Sequence, residues 1–199
     1  TDDQNNFKEN LKIINNQIKQ IENLVNEFSD FARMPKPTLK NNDLVKILNE
    51  NIKLLSELDK SIKISWVTKK VSIVFKCDKE QLARVFFNLI KNSIESIQQK
   101  AEKNPDFNKK ISIEILSNNH HINFTLIDNG IGFKENTNIK DILNPYFTTK
   151  KEGTGLGLSI VNKIINDHNG ELEFYPLKDG AKIEIYFKLD GNWNFNSWW

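Results

Sequence analysis

Residues 88–95 read Asn-Leu-Ile-Lys-Asn-Ser-Ile-Glu, and this stretch decides how the rest of the sequence is interpreted. In an α-helix the spacing i, i+4, i+7 places the side chains of Asn88, Asn92 and Glu95 on one face. The opposite face is apolar and carries Leu82, Val85, Phe86, Leu89 and Ile90. Carboxamides beside an apolar core can offer oxygens to a metal ion and nitrogens to phosphate oxygens. A solvated polar face is the ordinary alternative for this pattern.

A second motif follows the apolar alternation of residues 122–127, which predicts a strand. Residues 128–133 read Asp-Asn-Gly-Ile-Gly-Phe. An aspartate at the end of a strand can accept a hydrogen bond from an exocyclic amine, and the two glycines let a flat ring approach the backbone. The alternative is an ordinary strand-ending turn, for which Asn-Gly is common.

A third motif, Gly-Thr-Gly-Leu-Gly-Leu-Ser at residues 153–159, opens a predicted helix. None of the eight glycines precedes Gly130, and five of them stand at positions 130, 132, 153, 155 and 157. Exposed N–H groups at a glycine-rich helix start form a phosphate site. The motif matches neither the P-loop nor the dinucleotide fingerprint. Just before it, residues 148–151 bring two hydroxyls and two ammonium groups that could reach phosphate from a flap.

Periodicity around these motifs predicts a mixed sheet with helices on one face, an α+β fold. Further helices are predicted at residues 43–58, 78–100 and about 155–169, the first with Asp43 as its N-cap. The strands are predicted at residues 62–66, 71–75, 111–115, 122–127, 171–175 and 182–187.

The first segment predicts one long helix over residues 5–34, roughly 45 Å in length. Its apolar residues alternate in steps of four and three, which is a heptad seam: Phe7, Leu11, Ile14, Ile18, Ile21, Val25, Phe28 and Ala32. Pro35 and Pro37 end it. The seam needs a partner, either the following domain or another helix in an intermolecular bundle. We favour the bundle because the stripe is narrow and regular.

Composition sets broad limits on the function. The 199 residues allow one ordinary domain plus an appendage, and a net charge of +2 argues against a dedicated nucleic-acid binder. No apolar run approaches the roughly 20 residues that span a bilayer. The single cysteine, Cys77, is interpreted as a small buried hydrophobe at the end of a strand.

The order and spacing of the three motifs and the flap resemble the N, G1, F and G2 boxes of the histidine-kinase branch of the GHKL ATPases. This fold is shared with gyrase, Hsp90 and MutL. The resemblance covers about Asp43 to Leu189, and residues 78–82 and 168–171 also match the family pattern. It implies an α+β mixed-sheet α/β sandwich, the GHKL or Bergerat ATPase fold, preceded by the long heptad helix.

The end of the heptad helix narrows this resemblance. Residues 27–37 look like the second helix of a dimerisation and phosphotransfer hairpin, and their sequence is similar to that of NtrY-type nitrogen-regulation sensors. The implied organisation is a hairpin helix at 1–37, an ATP-binding catalytic domain at 38–190 and an aromatic tail at 191–199. That tail holds three of the four tryptophans, and its role stays open between docking on this chain, binding a partner and disorder.

The resemblance also implies partners and a location. They are an NtrX-like response regulator and a second copy paired through the heptad helix, with no nucleic acid and no membrane contact by this segment. The implied location is the cytoplasmic side of a bacterial inner-membrane sensor.

Site roles are carried over by resemblance, with ATP and Mg²⁺ as cofactors. Asp128 would bind the adenine amino group in a slot lined by Gly130 and Gly132. Asn92 would bind Mg²⁺, while Asn88 and Lys91 would contact phosphate. The remaining residues would clasp the phosphates from the glycine loop and from a lid at about 133–154: Gly153, Gly155, Leu156, Gly157, Thr149 and Lys150.

The histidines limit what this chain can do alone. Only His120, His121 and His168 are present, and none lies on the heptad helix. We therefore expect the acceptor histidine on a helix that precedes this chain, so that the chain binds ATP without phosphorylating itself. The alternatives are a degenerate ATP-binding signalling module and a GHKL ATPase outside signalling, such as a MutL-like protein.

Overall fold

The computed structural model describes residues 2–133, 139–148, 150 and 153–189. The helices are α1 Asp2–Ala32, α2 Leu44–Leu55, α3 Lys79–Ala101, α4 Ile139–Ile142 and α5 Gly157–Asp167. The strands are β1 Lys40–Asp43, β2 Lys63–Thr68, β3 Val74–Cys77, β4 Lys110–Ser117, β5 His121–Asp128, β6 Gly170–Pro176 and β7 Ala181–Lys188. The aromatic tail predicted at 191–199 lies outside the described residues.

The main sheet has five strands in the order β2-β4-β5-β7-β6. Strands β2 and β4 are parallel, and the other neighbours are antiparallel, which confirms the predicted mixed sheet. Because side chains alternate along a strand, one face carries buried apolar residues such as Ile113 and Ile185, and the other carries Thr125 and Glu184. Helices α2, α3 and α5 pack on the apolar face in one core, where the rings of Phe86 and Phe124 lie 5.0 Å apart.

An aspartate fixes the start of α3 and connects it to α5. The Asp78 carboxylate accepts hydrogen bonds from the backbone N–H groups of Glu80 and Gln81 at 3.1 Å. The Asp78 N–H donates to Nε2 of His168 at 2.9 Å, which leaves Nδ1 of His168 to donate to the Ile164 carbonyl at 2.8 Å. Both ring nitrogens of His168 are therefore engaged in contacts that hold the fold together.

The strand predicted at residues 71–75 is wrong in its bounds, since β3 covers Val74–Cys77. Residues 71–73 instead lie beside the start of α2, where Ile73 donates to the Asp43 carboxylate at 3.1 Å and accepts from the Leu44 N–H at 2.9 Å. Strand β3 pairs with β1 in a separate two-stranded sheet. The sequence of β1, Lys-Asn-Asn-Asp, has no apolar alternation, so sequence analysis missed it.

The end of β3 bears out the interpretation of the cysteine. Cys77 is its last residue and is fully buried. Desolvation raises the pKa of its thiol to about 11, against the hydrogen bond with Asn42. The thiol is therefore a packed apolar group rather than a reactive one.

The heptad seam of α1 is exposed along most of its length. Phe7, Ile14, Ile18 and Ile21 expose between 50% and 63% of their surface. Contact with the domain is made near the C-terminal end of α1, where Phe31 and the following Met34 pack against the core. The described part of this chain therefore leaves most of the seam uncovered. Within the described residues, no helix combines the length and apolar character that a membrane span requires.

Candidate nucleotide site

The carboxylate of Asp128 ends β5 in a buried position. Only 4% of the surface of Asp128 is exposed to solvent. One oxygen accepts from the Gly130 N–H at 2.9 Å, and the other accepts from the Ser93 hydroxyl at 3.1 Å. Burial raises the pKa of this carboxyl, although the two hydrogen bonds act in the opposite direction. A further donor from a ligand would compensate the buried charge, which suits the role predicted for Asp128.

The turn after Asp128 is held by side chains that sequence analysis assigned no role. Asn129 donates to the Asn108 carbonyl at 2.6 Å and accepts from the Lys110 N–H at 2.9 Å. The ammonium of Lys100 donates to the Asn129 carbonyl at 2.8 Å and pairs with Asp179. The position of Asp128 is therefore fixed by α3, β4 and the β6–β7 turn together.

Close packing explains why glycine is found at positions 130 and 132. A Cβ on Gly130 would lie 2.2 Å from the hydroxyl oxygen of Ser96. Gly132 has φ +67°, and its Cβ would lie 2.5 Å from the carbonyl oxygen of Gly180. Gly180, with φ +103°, would in turn press a Cβ to 1.9 Å from the carbonyl oxygen of Asp128. The sequence places Gly180 only between two predicted strands, at 171–175 and 182–187, and gives no sign of this support of the site.

The two asparagines lie on α3 with other groups of the predicted site around them. Asn88 donates to the Arg84 carbonyl at 2.8 Å. Gly157, the first residue of α5, faces Asn88 so closely that a Cβ there would lie 3.1 Å from the carboxamide oxygen. The phosphate loop predicted at residues 153–159 therefore begins its helix against the first asparagine of the predicted set.

A lysine from the predicted flap reaches the second asparagine. Nζ of Lys150 donates to Oδ1 of Asn92 at 2.8 Å and forms an ion pair with Glu95. Nζ of Lys91 lies 3.8 Å from the other oxygen of Glu95. Glu95 was placed on this helix face by its spacing but was not predicted as a site residue. Thr149 lies outside the described residues, as do 134–138 and 151–152 of the predicted lid.

The glycine loop packs on the segment that precedes it. Gly155 has φ +72°, and its carbonyl accepts from the Tyr146 N–H at 3.1 Å. Gly153 faces the hydroxyl of Thr148, to which a Cβ would approach within 2.5 Å. Leu156 is fully buried just before α5, which begins at Gly157 rather than at the predicted position near 155. The four predicted loop residues are thus one continuous turn at the start of a helix.

Helix α1 also contacts this loop, which the sequence did not indicate. The Thr154 hydroxyl donates to the Glu27 carboxylate, and the ring of Phe28 stacks on Tyr146 at 6.4 Å between centroids. Glu27 is not a seam residue, so no periodic signal singled it out. Among the residues that the structure describes, no three His, Cys, Asp or Glu side chains are grouped so that they could hold a metal ion.

Comparison with known proteins gives the family of the chain. Residues 77–191 match the family model of histidine kinase-, DNA gyrase B- and HSP90-like ATPases. The chain belongs to this family of ATPases, and the segment it matches is an ATP-binding domain. The predicted fold class and the predicted family are both confirmed.

The relatives of this chain include proteins named NtrY or NtrY-like. Over 196 residues the chain is 32% identical to nitrogen regulation protein NtrY of Azorhizobium caulinodans, covering 96% of this chain and 25% of that protein. The catalytic domain of histidine kinase ThkA superposes with a TM-score of 0.66 at 25% identity, covering 76% of this chain and 95% of that one. ThkA solved in complex with response regulator protein TrrA gives a TM-score of 0.71 at 22% identity, over 89% of this chain and 50% of that one. The chain thus spans about a quarter of NtrY.

Proposed function

We propose that this chain is the ATP-binding catalytic part of a sensor histidine kinase. It donates the γ-phosphoryl group of ATP to a histidine, for relay to an aspartate of a response regulator. The observation that carries the proposal lies on α3, where two consecutive residues join the two ends of the site. Ser93 holds the Asp128 carboxylate, and Asn92 accepts from Lys150. An adenine end and a phosphate end are therefore built on one helix.

Each predicted residue takes a role in this proposal. Asp128 accepts a hydrogen bond from the adenine amino group, beside Gly130 and Gly132. Asn88 and Lys91 contact phosphate, and Thr149 and Lys150 add donors from the flap. The loop residues present backbone N–H groups at the start of α5: Gly153, Gly155, Leu156 and Gly157. Positioning and charge neutralisation account for most catalysis of phosphoryl transfer, so this set of groups suits the reaction.

Mg²⁺ fits one corner of the site. Oδ1 of Asn92 and the Glu95 carboxylate already gather a cation there, the ammonium of Lys150. Carboxamide and carboxylate oxygens are ligands that suit Mg²⁺. Asn92 would hold the ion, and the charge of the ion would offset the negative charge of the phosphates.

Substituting Asn92 tests the assignment. We expect Asn92→Ala to weaken ADP binding about tenfold in the presence of Mg²⁺, because a metal ligand is lost. In EDTA the affinity of the variant should lie within about twofold of the unchanged chain, since the adenine contacts remain. Isothermal titration calorimetry measures both. Asn162→Ala on α5 is the matched control, because the Asn162 carboxamide accepts a hydrogen bond from Asn166 one turn along the same helix and is not part of the predicted site. Equal ADP affinities for the unchanged chain, Asn92→Ala and Asp128→Ala would refute the assignment of these residues to the nucleotide site.

The phosphoryl acceptor is not His168. Both of its ring nitrogens are hydrogen-bonded inside the fold, and the residue is only 9% exposed. A histidine attacks phosphorus through a free ring nitrogen, so His168 would have to leave its place between α3 and α5. His120 and His121 lie at the β4–β5 turn, at the end of β5 opposite to Asp128. We therefore assign the acceptor to a histidine presented to the site by another segment or chain.

We propose a second copy of this chain as the partner of the exposed seam on α1. The seam side chains are exposed in a row at heptad spacing, which is the pattern that pairs helices in bundles.

The organisation we propose is a hairpin helix at 1–37, the catalytic domain at 38–190 and a tail at 191–199. By likeness to NtrY and to ThkA with its regulator, we propose an NtrX-like response regulator as the downstream partner and a cytoplasmic location in a membrane sensor.

The exposed seam of α1 predicts that the chain forms a dimer. We expect the chain to dimerise at concentrations of tens of micromolar, and Ile18→Lys to make it monomeric because a charge in the seam cannot be buried without a partner. Asn16→Lys, on the outer face of the same helix, should leave the dimer unchanged. Sedimentation velocity over a concentration series distinguishes the two states. A monomer at every concentration of the unchanged chain would contradict the proposal.

A further inference from the structure

The ammonium of Lys150 contacts Asn92, the proposed metal ligand. Its Nζ is 2.8 Å from Oδ1 of Asn92, and it pairs with the Glu95 carboxylate. Both partners lie on the polar face of α3, one turn apart. The side chains of Lys150 and Glu95 are 37% and 35% exposed, so the pair is partly shielded from water.

This arrangement has a simple electrostatic consequence. A divalent cation that binds to Asn92 needs a lone pair of the side-chain oxygen. An ammonium 2.8 Å from the same oxygen occupies one of them and repels a second cation. The two positive groups therefore exclude each other at this oxygen. Glu95 determines how firmly the ammonium is held, because its carboxylate is the charged partner.

We propose that Lys150 is a built-in competitor of the divalent cation, held against Asn92 by Glu95 as a positioning residue. The proposal rests on the nucleotide site described above and adds a regulation to it. Metal-bound nucleotide displaces the ammonium from Asn92, and the freed Lys150 then lies within reach of the terminal phosphate. Nucleotide without metal leaves the Lys150–Glu95 pair in place. The pair thus couples the position of the Lys150 side chain to the arrival of the metal.

The experiment measures how ADP affinity depends on the concentration of Mg²⁺, using calorimetry on the full 199-residue chain. ADP is the probe because it lacks the terminal phosphate, so any direct contact of Lys150 with that phosphate is removed from the result. We expect Lys150→Met to lower the Mg²⁺ concentration for half-maximal effect about fivefold, the change that corresponds to losing one partly exposed ion pair. Lys150→Arg keeps the charge and should stay within about twofold of the unchanged chain.

A double-mutant cycle separates the pair from the single charge. In a Glu95→Gln background the ammonium is no longer held, so Lys150→Met should change the Mg²⁺ midpoint by less than about twofold. Lys163→Met is the matched control, because Lys163 has the same 37% side-chain exposure and pairs with Asp167 on α5. Its midpoint should not move.

The outcomes discriminate between the two proposals. If Lys150→Met still binds ADP and its Mg²⁺ midpoint is unchanged or higher, the competition is refuted while the nucleotide site stands. An equal shift in both backgrounds of the cycle would refute the role of Glu95. If the unchanged chain binds no ADP under any condition, the proposed function itself fails.

Discussion

Asp128→Asn is expected to lower the affinity for ADP roughly 10- to 100-fold, which corresponds to about 1.5–3 kcal/mol for a hydrogen bond to a charged group. The substitution keeps the size of the side chain, and its oxygen can still accept from the Gly130 N–H. It removes the negative charge that a donor amino group would compensate. Calorimetric titration with ADP in EDTA measures this contact without the contribution of the metal.

The same substitution should leave the fold intact. Burial raises the pKa of Asp128, which means that the folded state disfavours the ionised carboxylate. Above the folded pKa the charge therefore subtracts from stability, and a neutral amide removes that cost. We expect the free energy of unfolding in urea at pH 7 to be unchanged or higher for Asp128→Asn. Asp167→Asn, which breaks the partly exposed pair with Lys163, is the control for losing an aspartate elsewhere. ADP binding within threefold of the unchanged chain would refute the assignment of Asp128.

The main elements of the site could be predicted because their signals are local. The spacing of Asn88 and Asn92 defines a helix face within two turns, and the glycines of the loop are adjacent in sequence. Likewise the predicted cap Asp43 accepts from the N–H of Val45, only two residues further along the chain. Each of these features follows from chemistry within a few residues, so sequence periodicity is enough to find it.

The supporting contacts could not be predicted because they join distant segments. Ser93 meets Asp128 across 35 positions, and the Thr154 hydroxyl meets Glu27 across 127. Neither Ser93 nor Glu27 breaks a pattern in its own helix, so only the packed fold shows what they touch. The same holds for β1, which becomes a strand through its partner β3 and not through its own alternation. Local rules thus selected the candidate site residues, and the packed fold shows which residues contact them.

Gly180→Ala is expected to destabilise the fold by about 2–5 kcal/mol, combining a strained positive φ with overpacking. The added Cβ would meet backbone atoms, the carbonyl oxygen of Asp128 at 1.9 Å and Cα of Asn129 at 2.7 Å, and these cannot rotate away as a side chain can. Relief requires the β6–β7 turn to move from the end of β5. Urea unfolding followed by circular dichroism measures the loss of stability.

Gly157→Ala gives the contrast that makes this result specific. Gly157 is not among the described glycines with positive φ, and the first atom its Cβ would meet is the carboxamide oxygen of Asn88 at 3.1 Å. That oxygen is the end of a side chain and can shift, so we expect a change in stability below about 1 kcal/mol. In the fraction of Gly180→Ala that stays folded, ADP affinity should also fall, because moving the Asp128 backbone moves its carboxylate. Equal stability of the two variants would mean that the β6–β7 turn yields freely and does not fix Asp128.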